Sequence, residues 1–406
     1  MNSFVARQPI LDGKEKTVAY EVLFRNGIEN EFPDVEGDKA TFRIIADTFL
    51  SSGFKEITNG KKAFINFPRN LIVNMAPRFL PKEQIVVEIL ENVSAEEKVL
   101  DSVRRLKKDG YMIVLDDFMF LDGLEPLVES ANMVKVDFKL MSLTEIQATL
   151  EMLKPYSNLK FVAEKIETYD QFEQAKDLGF TYFQGFFFAR PRLLKSRTIP
   201  ISENNLFRMI SEVSKEEADF SKVSSVIQND VAVSLRLLRL VNSAYYRRLS
   251  RIDSVRDAVT MLGQDRIKQF IMMLFAADIA KGKADELIKV SISRARMAEE
   301  AGTLLNMRFS RDELFTLGLF SNVDAMLGIR MEDLVTQLPF SDKINDALLR
   351  KNTPFSNLLF LIKLFERGFL KKAHQFCTRL KVKEEKMLDI YLDSIKMADN
   401  FVNTFN

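Results

Sequence analysis

The sequence predicts an α/β barrel followed by an all-α helical domain. Short apolar or β-branched runs alternate with longer amphipathic stretches through the first half of the chain. Strands separated by helices favour a parallel sheet, and a closed β/α barrel is the simplest arrangement at this length. In the second half, apolar residues recur at three- and four-residue spacing, which is typical of packed helices. A chain of 406 residues exceeds one compact core, so we expect two domains.

Seven segments are predicted as strands of the barrel. They are residues 17–24, 62–67, 84–90, 111–118, 133–138, 159–166 and 180–188. Residues 95–110 have a helical pattern that ends at Gly110, a typical helix stop. The prolines and polar residues of 189–205 interrupt the alternation. We therefore predict two domains, residues 1–195 and 196–406.

Composition limits the classes of function. The 58 basic and 57 acidic residues nearly cancel, so no overall charge attracts a nucleic acid polymer or a membrane. One cysteine, no apolar signal segment and no run of 18 apolar residues predict a cytoplasmic protein. The only histidine is His374, which excludes multi-histidine metal centres and a Ser-His-Asp triad elsewhere. A metal ion in the first half therefore needs oxygen ligands, which favours Mg²⁺ or Mn²⁺.

Acidic and amide side chains lie within the predicted strands or at their ends. These residues, with one lysine, are Glu21, Asn66, Glu88, Asp116, Asp117, Lys135, Glu164 and Gln184. A single acidic residue in a strand is more often exposed or ion-paired, and the adjacent Asp116 and Asp117 are weak evidence alone. Burying several carboxylates requires compensation, which divalent cations provide. A barrel brings its strand ends to one rim, so the set predicts a metal site there.

The same residues carry a resemblance to a known family. YEVLFR, NFP, VVEILEN, LDDF, VKVD, VAEKIET and FQGFFFARP resemble, in order, the motifs of the EAL phosphodiesterases, across about residues 4–191. The resemblance implies a TIM-like barrel of the EAL type. It implies two divalent ions bound by Glu21, Asn66, Glu88, Asp116 and Asp117. It also implies catalytic roles for Lys135, Glu164 and Gln184, and nucleotide contacts from Gln8, Arg25 and Pro191.

By this resemblance the reaction opens cyclic di-GMP to its linear dinucleotide, which favours motility over biofilm. The sequence departs from the family in one loop, where DDFGTG is replaced by DDFMFLDG and Met119 takes the place of the first glycine. Two hypotheses therefore stand. The first is an active cyclic-di-GMP phosphodiesterase, and the second is a degenerate EAL domain that binds cyclic di-GMP or a protein and signals through the second half.

The second half resembles the HDOD domain, a helical relative of the HD phosphohydrolases. The resemblance rests on residues 226–246, 254–273 and 317–339. Ser321 and Asn322 replace the His-Asp pair of an HD enzyme, so we expect no catalysis there. A docking role toward an unknown signalling protein is the better interpretation. The family's tendency to dimerise leaves an oligomer open.

Overall fold

The computed structural model describes residues 3–26, 57–119, 123–189, 220–246, 252–280, 284–335, 342–349 and 353–404. It divides into two compact units, the first formed by Met1–Phe188 with Phe365–His374 and the second by Ala189–Leu364 with Gln375–Asn406. The predicted domain boundary between residues 195 and 196 lies outside the described residues. The domain limits therefore stay a prediction.

The first unit contains a closed eight-stranded barrel in which the strands follow chain order. The strands are β1 (Ser3–Asp12), β2 (Thr17–Asn26), β3 (Lys62–Phe67), β4 (Ile85–Ile89), β5 (Met112–Leu115), β6 (Met133–Asp137), β7 (Lys160–Glu164) and β8 (Tyr182–Gln184). Strands β2 to β8 run parallel to one another, whereas β1 runs antiparallel to both of its neighbours, β2 and β8. The predicted barrel is thus confirmed and its seven predicted strands are parallel, whereas the antiparallel strand β1 was not predicted.

The sequence interpretation missed β1 because Pro9 interrupts it and polar residues occupy its middle. A tight turn makes β1 and β2 a hairpin. The Asp12 carboxylate accepts hydrogen bonds from the backbone N–H groups of Lys14 and Lys16 at 2.8 and 2.9 Å. Glu15 has a φ of 61°, which lets the chain reverse within the turn.

Short helices connect the parallel strands. They are α1 (Arg69–Val73), α2 (Glu97–Lys108), α3 (Glu125–Ser130), α4 (Leu143–Leu153) and α5 (Tyr169–Asp177). Ser142 begins α4 with a capping box in which Glu145 is the reciprocal partner, and Thr168 begins α5 in the same way with Gln171. The predicted stop after α2 is confirmed, since Gly110 has a φ of 94°.

A layer of apolar side chains fills the barrel interior. It consists of Ile10, Ala19, Phe64, Val86, Val114, Met133 and Val162, with Met112 and Tyr182 packed against it. Seven strands contribute one buried side chain each, so the barrel centre is a packed core rather than a channel. This layer closes the floor beneath the strand ends.

The described part of residues 196–406 is helical, as predicted. Its helices are α6 (Phe220–Asn229), α7 (Val231–Val241), α8 (Val255–Ile279), α9 (Asp285–Leu304), α10 (Arg311–Phe320), α11 (Val323–Leu327), α12 (Met331–Leu334), α13 (Asp342–Leu348), α14 (Pro354–Glu366), α15 (Leu370–Leu380) and α16 (Glu384–Asn403). Helices α9 and α10 pack so closely that a Cβ on Gly318 would lie 2.3 Å from the Arg294 carbonyl oxygen. Among the helices described, none is long and apolar enough to cross a membrane.

Candidate functional site

Eight of the predicted site residues lie one layer above the apolar floor. Side chains two residues apart in a strand point to the same face. Glu21 follows the floor residue Ala19 by two positions, and Lys135 follows Met133 in the same way. The same spacing places Asn66, Glu88, Asp116, Glu164 and Gln184 above Phe64, Val86, Val114, Val162 and Tyr182. Because β1 runs in the opposite direction, Gln8 reaches this layer by preceding its floor residue by two positions.

Lys135 lies at the centre of this layer, with its side chain 1% exposed. Its ammonium nitrogen lies 3.2 Å from Glu21 Oε2, 3.0 Å from Asp116 Oδ1 and 2.5 Å from Glu164 Oε1. It also forms an ion pair with Glu88, which is fully buried. Five strands or their ends therefore bring one ammonium and four carboxylates together.

Amide side chains complete the rim around Glu21. Gln184 Nε2 donates to Glu21 Oε2 at 2.6 Å and lies 3.0 Å from Gln8 Oε1, which accepts its second hydrogen bond. Asn66 Nδ2 lies 3.4 Å from Glu21 Oε1, a long hydrogen bond. These donors hold Glu21 in place, and Gln184 links it to Gln8 on the antiparallel strand β1.

The layer holds more negative charge than its lysine neutralises. Burial raises the pKa of Glu88 and of Glu164 well above the usual range, although Lys135 opposes the shift. Burial would also raise the pKa of Asp116, but Lys135 and hydrogen bonds outweigh it and lower that pKa. The four carboxylates together raise the pKa of Lys135 against its own burial. Full ionisation would leave three uncompensated negative charges, which protons or a bound cation would have to balance.

Three buried oxygen atoms in this layer suit a metal ion. Asn66 Oδ1, Glu88 Oε2 and Gln184 Oε1 accept no hydrogen bond from the described residues. Buried acceptors are normally paired, and a divalent cation pairs with oxygen atoms that no donor reaches. Glu21, Glu88 and Glu164 also offer carboxylate oxygens within 4.8 Å of one another. The residues present therefore fit a hard divalent ion.

A second acidic group lies beside the first and includes a residue that was not assigned as a ligand. Glu91, Asp116 and Asp117 offer carboxylate oxygens within 4.8 Å of one another. The backbone around Asp117 is held on both sides, since Asp116 N–H donates to Ile89 O at 2.9 Å and Phe118 N–H donates to Lys135 O at 3.0 Å. The start of the altered loop is therefore fixed, even though Met119 is exposed.

Two of the predicted substrate-binding residues are not placed. Arg25 belongs to β2, but its side chain lies outside the described residues, as does Pro191. Sequence reasoning did not assign Asp137 or Lys165, which form an ion pair at the same rim. The signal for Lys165 was present, because the segment VAEKIET resembles the AEGVET motif of the EAL phosphodiesterases but has lysine in place of the glycine.

In the helical unit, an arginine contacts the two residues that replace the His-Asp pair of an HD enzyme. Arg294 Nη1 lies 3.1 Å from Ser321 Oγ and donates to Asn322 Oδ1, and both Arg294 and Asn322 are 4% exposed. A fixed guanidinium repels a divalent ion, and the absence of catalysis in this half stays a prediction. Asn242 ends α7, and its side chain forms hydrogen bonds with the backbone of Leu238 and Ile252.

Fold and site together define a β/α-barrel protein with an acidic, lysine-centred mouth, followed by an all-α region. A model of the EAL domain matches residues 57–191, and a model of the HDOD domain matches residues 199–338. The chain is 36% identical over 380 residues to the cyclic di-GMP phosphodiesterase CdgJ of Vibrio cholerae, covering 93% of this chain and 88% of that protein. The chain therefore belongs to the family of two-domain EAL–HDOD proteins.

Two further similarities involve proteins of Bacillus subtilis. The uncharacterized protein YuxH of Bacillus subtilis is 32% identical over 414 residues, covering 99% of this chain and 100% of that protein. Among solved structures, the Bacillus subtilis YkuI protein, whose complex holds c-di-GMP and calcium, is 19% identical with a TM-score of 0.37. That match covers 64% of this chain and 72% of YkuI.

Proposed function

We propose that this protein hydrolyses cyclic di-GMP to the linear dinucleotide with divalent metal ions, Mg²⁺ or Mn²⁺. One observation carries the proposal. The barrel mouth brings four carboxylates, three of them buried, around Lys135 and leaves one oxygen each of Asn66, Glu88 and Gln184 without a hydrogen-bond donor among the described residues. A relative named as a cyclic di-GMP phosphodiesterase, matched over 93% of this chain and 88% of its own length, supports the choice of substrate.

The family resemblance implies the set of metal ligands, and the positions of the oxygen atoms support it. We assign the metal ligands as Glu21, Asn66, Glu88, Asp116 and Asp117. Two bound divalent ions would lower the pKa of a water molecule and neutralise the phosphodiester oxygens. The carboxylate and amide oxygens are the hard ligands that such ions prefer.

The remaining residues of the mouth orient water and substrate. Lys135 is a buried cation, and its N–H groups can hold the attacking water toward the phosphorus atom. Glu164 accepts a hydrogen bond from that ammonium and keeps it directed into the mouth. Gln184 and Gln8 form a linked pair at the rim, and Gln8 would contact the nucleotide. Arg25 and Pro191 complete the proposed substrate contacts, because a guanidinium can bind phosphate through two parallel N–H groups.

Direct assay of the purified chain tests this function. Incubation with cyclic di-GMP and Mg²⁺ or Mn²⁺ should yield the linear dinucleotide on ion-exchange chromatography, and a chelator should stop its formation. Lys135→Met should give no product. Lys160→Met is the matched control, because that lysine is exposed at the opposite end of β7. Binding without product under either metal would contradict the hydrolase.

The second candidate is a catalytically silent EAL domain that binds cyclic di-GMP or a protein partner. The observation in its favour is the altered loop after Asp117, where Met119 is 55% exposed and replaces a glycine of the family motif. In this case binding of cyclic di-GMP, measured by calorimetry, would persist while hydrolysis stays absent with both metals.

We further propose that residues 1–195 contain the whole catalytic site and that residues 196–406 bind a signalling protein. Every assigned ligand lies between Glu21 and Gln184, and the two family models meet between residues 191 and 199. Arg294, paired with Ser321 and Asn322, leaves a regulatory role for the helical half. A 1–196 fragment shown to be folded should retain cyclic di-GMP binding, and loss of binding would contradict this division.

A further inference from the structure

The Lys165 ammonium forms an ion pair with Asp117, one of the proposed metal ligands. Its ammonium nitrogen lies 3.2 and 3.3 Å from the two carboxylate oxygens of Asp117. It also forms an ion pair with Asp137. The same Asp117 carboxylate belongs to the second acidic group, with Glu91 and Asp116. The ammonium therefore contacts the oxygens that a second divalent ion would use.

The backbone of Lys165 holds the side chain in this position although the conformation disfavours lysine. Lys165 has a φ of 54°, in the left-handed region where a Cβ is crowded and glycine is favoured. It directly follows Glu164, the last residue of β7. Unfavourable backbone conformations of this kind concentrate at functional sites, where surrounding contacts maintain them.

Asp137 holds the Lys165 ammonium through an ion pair. One of its carboxylate oxygens accepts hydrogen bonds from the backbone N–H groups of Lys139 at 2.6 Å and Leu140 at 3.0 Å. Asp137 is only 2% exposed, so its position is fixed at the end of β6. The other oxygen is left for Lys165, which is itself half-exposed and has room to turn outward.

We propose that Lys165 is a tethered cation that competes with the second divalent ion for Asp117. In the metal-free protein its ammonium neutralises Asp117, and binding of the second ion requires the ammonium to move toward solvent. Lys165 thereby sets the metal concentration at which the second acidic group binds its divalent ion. This inference rests on the proposed two-metal function and assigns to Lys165 control over the occupancy of one ion.

Metal binding measured without substrate tests the competition. Mn²⁺ is titrated into the full-length chain, and electron paramagnetic resonance detects the Mn²⁺ that stays free. Lys165→Gly removes the ammonium and suits the left-handed backbone. It should bind the second Mn²⁺ at least about tenfold more tightly, since one adjacent charge changes the affinity of a carboxylate for a cation by that order. Lys165→Arg keeps the charge and should retain the weak second site.

Lys381→Gly is the matched control for the backbone effect. Lys381 has a φ of 56°, and it follows α15 rather than a barrel strand. The control should leave both Mn²⁺ affinities unchanged. An equal second-site affinity in the wild type and in Lys165→Gly would overturn the proposal, as would an equal gain in Lys381→Gly or the absence of Mn²⁺ binding in every variant.

Failure of this inference differs from failure of the proposed function. If the enzyme hydrolyses cyclic di-GMP but the Mn²⁺ curves coincide, then the role of Lys165 is wrong and the hydrolase stands. If the curves separate as expected but no variant yields product, then the competition stands and the hydrolase is wrong.

Discussion

Removal of the central ammonium should destabilise the metal-free barrel. Lys135 is 1% exposed and contacts four carboxylates, of which Glu88 is fully buried. Deleting one member of a buried ion pair costs about 3–5 kcal/mol, because the remaining charge has no partner. The raised pKa values of Glu88 and Glu164 let protons relieve part of this charge. We therefore expect Lys135→Met to lower the free energy of unfolding by about 3 kcal/mol in a chelator.

Divalent ions should reverse much of this loss, because they balance the same carboxylates. An ion at 100 times its Kd stabilises the folded state by about 2.7 kcal/mol per site. Urea unfolding, followed by circular dichroism in a chelator and in Mg²⁺, measures both effects. Lys160→Met controls for loss of a lysine from an exposed strand position. Equal stability of Lys135→Met and the wild type in the chelator would refute the charge argument.

Three further predictions concern individual contacts. Glu21→Ala should reduce hydrolysis more than about 100-fold, because Glu21 is a proposed metal ligand. It should change metal-free stability by under about 1 kcal/mol, because three carboxylates still surround the central lysine. Chromatography measures the first effect and urea unfolding the second, and wild-type turnover would mean that the ligand assignment is wrong. In the helical unit, three arginines lie 3.0–3.3 Å from Glu299 and lower its pKa against its burial. The stability that these ion pairs add is complete above the ordinary carboxyl pKa and is lost as the pH falls through the pKa of Glu299 in the folded protein. Glu299→Gln should therefore be less stable than the wild type at neutral pH, and it should lose less stability between about pH 5 and about pH 3 in thermal melts. Parallel pH curves for the two proteins would contradict this. Gly185→Ala should lower the free energy of unfolding in urea by at least about 2 kcal/mol, since its Cβ would lie 2.0 Å from Ile166 O. Gly60→Ala is the control, because Gly60 also has a positive φ but a Cβ there would meet no atom within 4 Å. Equal losses of stability in the two variants would mean that backbone strain alone is responsible.

Local pattern was sufficient to predict much of this protein. Strand and helix alternation is a property of neighbouring residues, so the barrel, the all-α half and the stop at Gly110 were predictable. The two-residue period of a strand likewise sets which side chains face inward. Glu21, Lys135 and Gln184 were therefore expected at one rim, and the structure places them there.

The direction of β1 and the partners of the charged groups were not predictable in the same way. Strand β1 contains Pro9 and little alternation, and only its pairing with β2 and β8 makes it a barrel strand. The ion pairs of Lys135 join residues as far as 114 positions apart, and their distances depend on how the barrel closes. Lys165 shows the limit most clearly. Its sequence position marks an unusual lysine, but only tertiary structure brings its ammonium onto Asp117, because that contact depends on two strand ends meeting at the same rim.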